Sequence, residues 1–219
     1  MSRITIRQAL AELEREGRVV RVPGKGTFVA ERRKLEPQSS LTSFSENMRA
    51  LGMAPSYASV KVTEAPATEE VSARLMIPSG EPVLRIERVM LADDIPMALM
   101  RAQLPRRIYE RGRGLFTPAR LANHSFYLTL ELDLGIELWK AKETVEATTA
   151  DEEEARLLNL GVDILLLVVH RHTLDRDGHP VEYTQLRYRA DLYRYQVELF
   201  RHVDSAGRSR TGNYEEILQ

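Results

Sequence analysis

Val83-Leu84-Arg85-Ile86-Glu87-Arg88-Val89-Met90-Leu91, followed by Asp93-Asp94 and a second extended run from Pro96, decides the fold. The aliphatic and β-branched content predicts a strand, the acidic pair a tight turn, and the run from Pro96 the returning strand of an antiparallel hairpin. Ahead of it, Ala73-Arg74-Leu75 and Gly80 mark a short helix and its stop. The same order returns between Thr149 and Tyr188: Ala155-Arg156-Leu157, Gly161, a strand from Ile164 to Thr173, a turn at Asp175 to Gly178 and a strand from Pro180. Two copies of a helix followed by a hairpin predict an α+β domain with a mainly antiparallel sheet, and are too few and too long for a solenoid.

Along the first strand Leu84, Ile86, Arg88 and Met90 share one face, so a guanidinium interrupts an apolar row. A buried guanidinium needs an anionic partner or strong acceptors. Strand logic leaves two readings of Arg88, a salt bridge to an acid such as Glu182 or the anchor of a ligand. Glu182, Thr184, Leu186 and Tyr188 share a face of the last strand by the same period.

Outside this repeat the chain changes character. Residues 1–34 hold nine Lys/Arg against four Glu, a net of +5, while the remainder carries −6. A basic head on an acidic body points to a polyanionic partner for the head. Ser2 caps a helix predicted to reach Glu16, with Ile6, Leu10 and Leu13 as its apolar stripe and Gly17 as its stop. Val19-Val20-Arg21-Val22, Pro23-Gly24-Lys25-Gly26 and Thr27-Phe28-Val29 then read as a hairpin with a basic tip. From Glu31 to Ser40 the sequence is charged, then polar with a proline, and shows neither helical nor strand periodicity, as a linker does. Ser43-Phe44-Ser45-Glu46 is a capping-box pattern opening a helix through Met48 and Leu51, whose N-terminal amides could hold an anion.

The whole chain of 219 residues is 43% hydrophobic and 29% charged, which supports one large or two ordinary folded domains. It has no cysteine, which excludes disulfides, thiolate nucleophiles and cysteine-ligated zinc. No apolar run reaches spanning length and no signal-peptide core is present, so a cytoplasmic protein with no membrane association is expected.

The segment SRITIRQALAELEREGRVVRVPGKGTFVA resembles the second half of the GntR-type winged-helix domain. The resemblance implies that the helix from Ser2 enters the major groove of operator DNA. It makes Arg3 and Arg7 base readers, Ser2 and Thr5 phosphate or base contacts, and Gly24 and Lys25 parts of the wing. Two helices precede the recognition helix in that family, whereas Met1 stands immediately before it here, so the head is read as truncated. Leu41-Thr42-Ser43-Phe44-Ser45-Glu46, Arg88-Val89, Ala92-Asp93-Asp94-Ile95-Pro96-Met97-Ala98 and Val181-Glu182-Tyr183 through Tyr188-Arg189 resemble the UTRA effector-binding domain of the HutC subfamily. That likeness implies a chorismate-lyase-like fold, a homodimer, and a pocket whose ligand controls the DNA-binding heads. The expected organisation is a partial winged helix at 1–32, a linker at 33–40, an effector domain at 41–205 and a tail at 206–219.

Carried over to this sequence, the effector-binding residues are Phe44, Ser45, Arg88, Met90, Met100, Ser125, Tyr127, Glu182 and Tyr188. Amino-sugar phosphate sensors of this type place an Arg where Met90 stands and a carboxylate where Met100 stands. A smaller or partly apolar anion is therefore favoured over a phosphosugar. No catalytic residue, metal or cofactor is implied: His170, His172 and His179 lack a metal-binding spacing. Asp151 to Glu154 read as helix-start acids, and Gly112-Arg113-Gly114 as a loop. The function expected is a transcription regulator, a repressor by resemblance, controlled by a small anionic metabolite. The alternatives are an enzyme of chorismate-lyase-like fold in which an Arg and a Glu process an aromatic acid, and a head-deficient fragment that only dimerises and binds effector.

Overall fold

A computed structural model of the chain describes residues 6, 9, 10, 19–22, 26–29, 34–37, 41–161 and 164–197. The sequence-predicted DNA contacts Ser2, Arg3, Thr5, Arg7, Gly24 and Lys25 and the tail at 206–219 lie outside the described residues. Of the head, strands β1 (Val19–Val22) and β2 (Gly26–Val29) pair antiparallel, Val19 opposite Val29, as the hairpin reading expects. Ile6 and Leu10, from the apolar stripe, remain 48% and 36% exposed.

The stretch read as an irregular linker contains a strand, β3 (Lys34–Pro37), paired in parallel with β10 (Tyr193–Gln196). Its pairing partner lies at the far end of the chain, and a backbone ladder formed that way needs no side-chain alternation, so periodicity was blind to it.

The body is one six-stranded antiparallel sheet flanked by short helices. Helix α1 (Phe44–Ala50) opens it, with Ser43 accepting from the Glu46 amide and Glu46 reaching back to the Ser43 amide. Strand β4 (Pro55–Pro66), helix α2 (Glu69–Leu75), and strands β5 (Pro82–Ala92) and β6 (Ile95–Pro105) form the first half. The second half repeats it with β7 (Leu138–Thr149), α6 (Glu152–Leu157), β8 (Leu165–Asp175) and β9 (Pro180–Arg189). Between the halves lie α3 (Arg106–Tyr109), α4 (Pro118–Leu121), α5 (Phe126–Leu128) and a π-helical turn at Thr129–Asp133. Among the described residues no helix is long and apolar enough to cross a membrane.

The strand order β4-β5-β6-β9-β8-β7 is that of two halves related by a local two-fold axis. Arg88 faces Met100 in one hairpin as Arg171 faces Thr184 in the other, and Met90 faces Ala98 as Thr173 faces Glu182. Applied to the central pair, this correspondence carries Met100↔Leu186 onto Thr184↔Ala102, so the axis passes through Arg101↔Gln185. The helices obey it too. Val71 and Leu75 of α2 join a cluster with Tyr183 on β9, while Leu158, just past α6, joins one with Leu99 on β6. The consecutive positive φ angles of Asp93 and Asp94, 49° and 62°, give the tight β5–β6 turn the right-handed twist a hairpin requires.

Candidate functional site

The main core lies on the sheet face away from α2 and α6, under α1, α3, α4 and α5. A small, partly open cavity of about 30 Å³ lies there, lined by Ser43, Phe44, Tyr57, Arg88, Met90, Met100, Ser125, Phe126, Tyr127, Arg171, Glu182, Thr184 and Leu186. That is space for roughly one water molecule, well below the several hundred Å³ of an ordinary ligand pocket. With the side chains in this arrangement the site is too small for a metabolite.

Arg88 is 4% exposed and pairs with no described carboxylate. Its Nη1 donates to the carbonyls of Leu121 and His124, each at 3.2 Å, and its guanidinium carbon lies 3.8 Å from the centre of the Tyr57 ring. Nε is buried without a partner. Burial pushes its pKa down to about 10, against the opposing influence of Tyr57, which leaves it charged at neutral pH. The salt bridge to Glu182, one of the two sequence readings, is not formed.

Arg171 stands at the equivalent register position of the other half and is 5% exposed. Its circumstances are opposite. Nε donates to Glu143 Oε1 at 2.5 Å, and Nη1 donates to the Thr42 carbonyl at 3.0 Å and the Tyr127 hydroxyl at 3.3 Å. Burial works against its charge, but Tyr127 and Glu143 outweigh that and hold its pKa above the ordinary arginine value. The reason for the difference lies in the flanking strands. Glu143 is the cross-strand neighbour of Arg171 on β7, whereas the β4–β5 ladder breaks between Ala58 and Lys61, opposite Arg88, where Ser59 adopts a φ of 50°. A bulge takes the place where the other half carries a counter-ion.

Glu182 is fully buried. Its Oε1 accepts from Thr173 Oγ1 at 2.5 Å and from the Tyr127 hydroxyl at 3.1 Å, and its Oε2 accepts from Thr184 Oγ1. Desolvation raises its pKa to about 7, partly offset by the Thr173 hydrogen bond, the Arg171 charge and the Tyr127 hydrogen bond. Burial likewise pushes the Tyr127 hydroxyl up, with the Glu182 charge adding to it. Ser125, at the start of α5, makes no side-chain cap, and its buried Oγ is without a partner. The capping role that the sequence left open for it is not observed.

Phe44, Arg88, Met90, Met100, Ser125, Tyr127 and Glu182 thus come together on one cavity from five elements. Ser45 and Tyr188 sit beside the cavity rather than on its wall. Ser45 Oγ is 3.1 Å from Ser43 Oγ, and Tyr188 stacks on Tyr193 at 3.7 Å. At the start of α1 the Ser43 and Glu46 amides are taken by the capping box itself, at 2.8 and 3.3 Å. Sequence reasoning missed Arg171, although Val169, Arg171 and Thr173 alternate with His170 and His172 and repeat the signature that singled out Arg88. Tyr57 carried no signal, because β4 precedes the recognised repeat.

His170 and His172 lie on the other face of β8, with His170 Nδ1 2.8 Å from the Tyr183 hydroxyl. His179 groups instead with Asp175 and Asp177 in the β8–β9 turn, where Asp175 Oδ1 accepts the amides of Asp177 and His179 as a turn-forming carboxylate. Asp151 and Glu154 form a capping box at α6, as helix-start acids do, and Glu154 also takes ion pairs from Arg101 and Arg187 at 3.2 and 2.7 Å.

Residues 50–194 match the UTRA domain, and residues 1–29 match the gntR family of bacterial regulatory proteins. The chain is 32% identical over 195 residues to the HTH-type transcriptional repressor NagR of Bacillus subtilis (strain 168), covering 89% of this chain and 78% of that one. It is 30% identical over 192 residues to the HTH-type transcriptional repressor PhnF of Mycolicibacterium smegmatis, covering 87% and 75%. The crystal structure of PhnF from Mycobacterium smegmatis superposes with a TM-score of 0.68 at 27% identity, over 91% of this chain and 86% of that one.

Proposed function

The chain belongs to the UTRA-domain family of GntR-type transcription regulators, and from that premise we propose that its sheet cavity binds a small metabolite whose anionic group is held by Arg88, and that occupancy controls operator binding. The named relatives are transcription regulators rather than enzymes, which removes the lyase-like alternative. One observation carries the ligand assignment. Of two symmetry-related buried arginines on one cavity, Arg171 is neutralised by Glu143, while Arg88 keeps its charge with carbonyls, a ring face and an unpartnered Nε. A buried cation without a counter-ion is costly, and an anionic ligand supplies one.

The rest of the reading follows the family. The head at 1–32 contacts operator DNA through Ser2, Arg3, Thr5, Arg7, Gly24 and Lys25. The segment 33–40 joins it to the effector domain at 41–205. The regulator works in the cytoplasm as a homodimer on a palindromic site, and ligand relieves repression. Ser45 and Tyr188 support the cavity from behind its wall.

Thermal-shift screening of small phosphates and carboxylates tests the ligand assignment, because a ligand that binds the folded state alone raises its stability by mass action. A stabilising anion should lose roughly 2–5 kcal/mol of affinity in Arg88→Ala. Undiminished binding by that variant, with melting behaviour coupled to Glu182, would remove Arg88 from the site.

A further inference from the structure

The cavity holds a second uncompensated charge. Glu182 has no cation within ion-pairing distance among the described residues, yet three hydroxyls from three elements, Tyr127, Thr173 and Thr184, all direct their protons to it. Hydroxyls so arranged solvate a carboxylate without neutralising it. Arg171 stops one atom short, donating to the Tyr127 oxygen rather than to Glu182, and its charge is already taken by Glu143. Arg88 and Glu182 line the same cavity but do not pair with each other. Symmetry shows that the buried acid is not required by the sheet, and that the buried cation elsewhere comes with a counter-ion. The equivalent of Glu182 is Ala98, and the equivalent of Arg88 is the one that carries a counter-ion. The missing counter-ion in one half and the added acid in the other leave opposite charges facing one space, whose apolar wall includes Met90, Met100, Phe126 and Leu186.

We propose that the effector is dipolar, bearing an ammonium or similar cationic hydrogen-bond donor that sits against Glu182 in addition to the anionic group at Arg88. This rests on the reading of Arg88 given above. A ligand carrying both charges neutralises both buried groups at once, whereas a plain anion satisfies Arg88 and meets repulsion from Glu182. The two classes therefore differ in the sign of their pH dependence. Burial raises Glu182 to about 7 against the Thr173 hydrogen bond, the Arg171 cation and the Tyr127 hydrogen bond, with the Glu143 carboxylate adding to the rise, and the Thr184 hydroxyl also donates to it. A cationic donor binds more tightly as pH rises and Glu182 ionises, by roughly tenfold between pH 6 and 8, and a plain anion binds less tightly.

Thermal shift and calorimetry on the full chain test this with paired probes. Glycine, β-alanine, γ-aminobutyrate and 5-aminovalerate are compared with acetate, propionate, butyrate and valerate, and with inorganic phosphate. The expected result is an amino acid that outbinds its unsubstituted partner by tenfold or more at pH 8. Its advantage should shrink toward pH 6 and vanish in Glu182→Gln. If no amino acid outbinds its partner at pH 8, the dipolar effector is wrong. In that event, stabilisation by a plain acid or phosphate that is lost in both Arg88→Ala and Arg88→Lys leaves the anion anchor standing. If none of the probes stabilises the protein through Arg88, the anchor falls as well.

Discussion

Replacing Glu182 by Gln should stabilise the ligand-free protein progressively as the pH is raised. The carboxyl of Glu182 moves from its ordinary 4.5 to about 7 on folding because burial disfavours its charged form. Below 4.5 it is protonated in both states and costs nothing. Between 4.5 and 7 the unfolded chain releases the proton while the folded chain retains it, so stability falls as pH rises through that window and levels off above it. A displacement of about 2.5 pKa units at about 1.4 kcal/mol each amounts to about 3 kcal/mol. The Gln amide keeps the shape and lacks the titration, so the variant-minus-wild-type difference should grow by that amount from pH 4.5 to 7.5. Its intercept depends on how the hydroxyls of Tyr127, Thr173 and Thr184 turn to suit an amide, but its slope does not. Denaturant unfolding followed by circular dichroism at four or five pH values gives the difference directly, and the other carboxylates cancel from it. A difference that stays constant with pH, or shrinks as pH rises, would refute the claim that this carboxylate is buried without compensation.

The two arginines should respond unequally to removal. Arg171→Met strands Glu143 and should cost about 3–5 kcal/mol of stability, with Arg171→Met/Glu143→Gln costing less than the sum of the single changes. Arg88→Met removes a cation with no counter-ion and should cost far less, and equal losses in urea melts would contradict the asymmetry. Ser43→Ala removes the cap of α1 and should cost about 1 kcal/mol, read as a lowered melting temperature. In operator-binding assays, Arg3→Ala or Arg7→Ala should lose about 1–3 kcal/mol on the operator, and Lys25→Ala should lower the salt slope by about one. Fluorescence anisotropy at three salt concentrations checks both, and unchanged operator affinity in the two Arg variants would remove them from the interface.

What could be read from the sequence was whatever repeats or alternates locally. The Val83 to Leu91 strand, its Asp93-Asp94 turn and their second copy announced an antiparallel sheet, and one charge in an apolar row announced Arg88. The same alternation marked Arg171, but attention to His170 and His172 on the opposite face of β8 hid it. The pairing of β3 with β10 was illegible, since a ladder between chain ends depends on backbone groups brought together by the rest of the fold. That Arg88 lacks a counter-ion was illegible too, because it turns on a bulge at Ser59 in a neighbouring strand. Sequence left Arg88 with two readings, and the register of β4 and β7 against their neighbours explains why Arg171 has a carboxylate beside it and Arg88 does not.

The β3–β10 ribbon is a weaker joint than the sheet beside it. Strand β10 is fastened to the body, with Tyr193 stacked on Tyr188 and the Tyr195 hydroxyl donating to Glu143 Oε2 at 2.7 Å. Strand β3 joins it over four residues in parallel, with no hairpin turn to hold the two together. A ribbon of that length is marginal in water, so this joint melts at a lower free energy than the six-stranded sheet. Opening of the ribbon is then an equilibrium separate from unfolding of the sheet, and its fastened side ends on the carboxylate that neutralises Arg171.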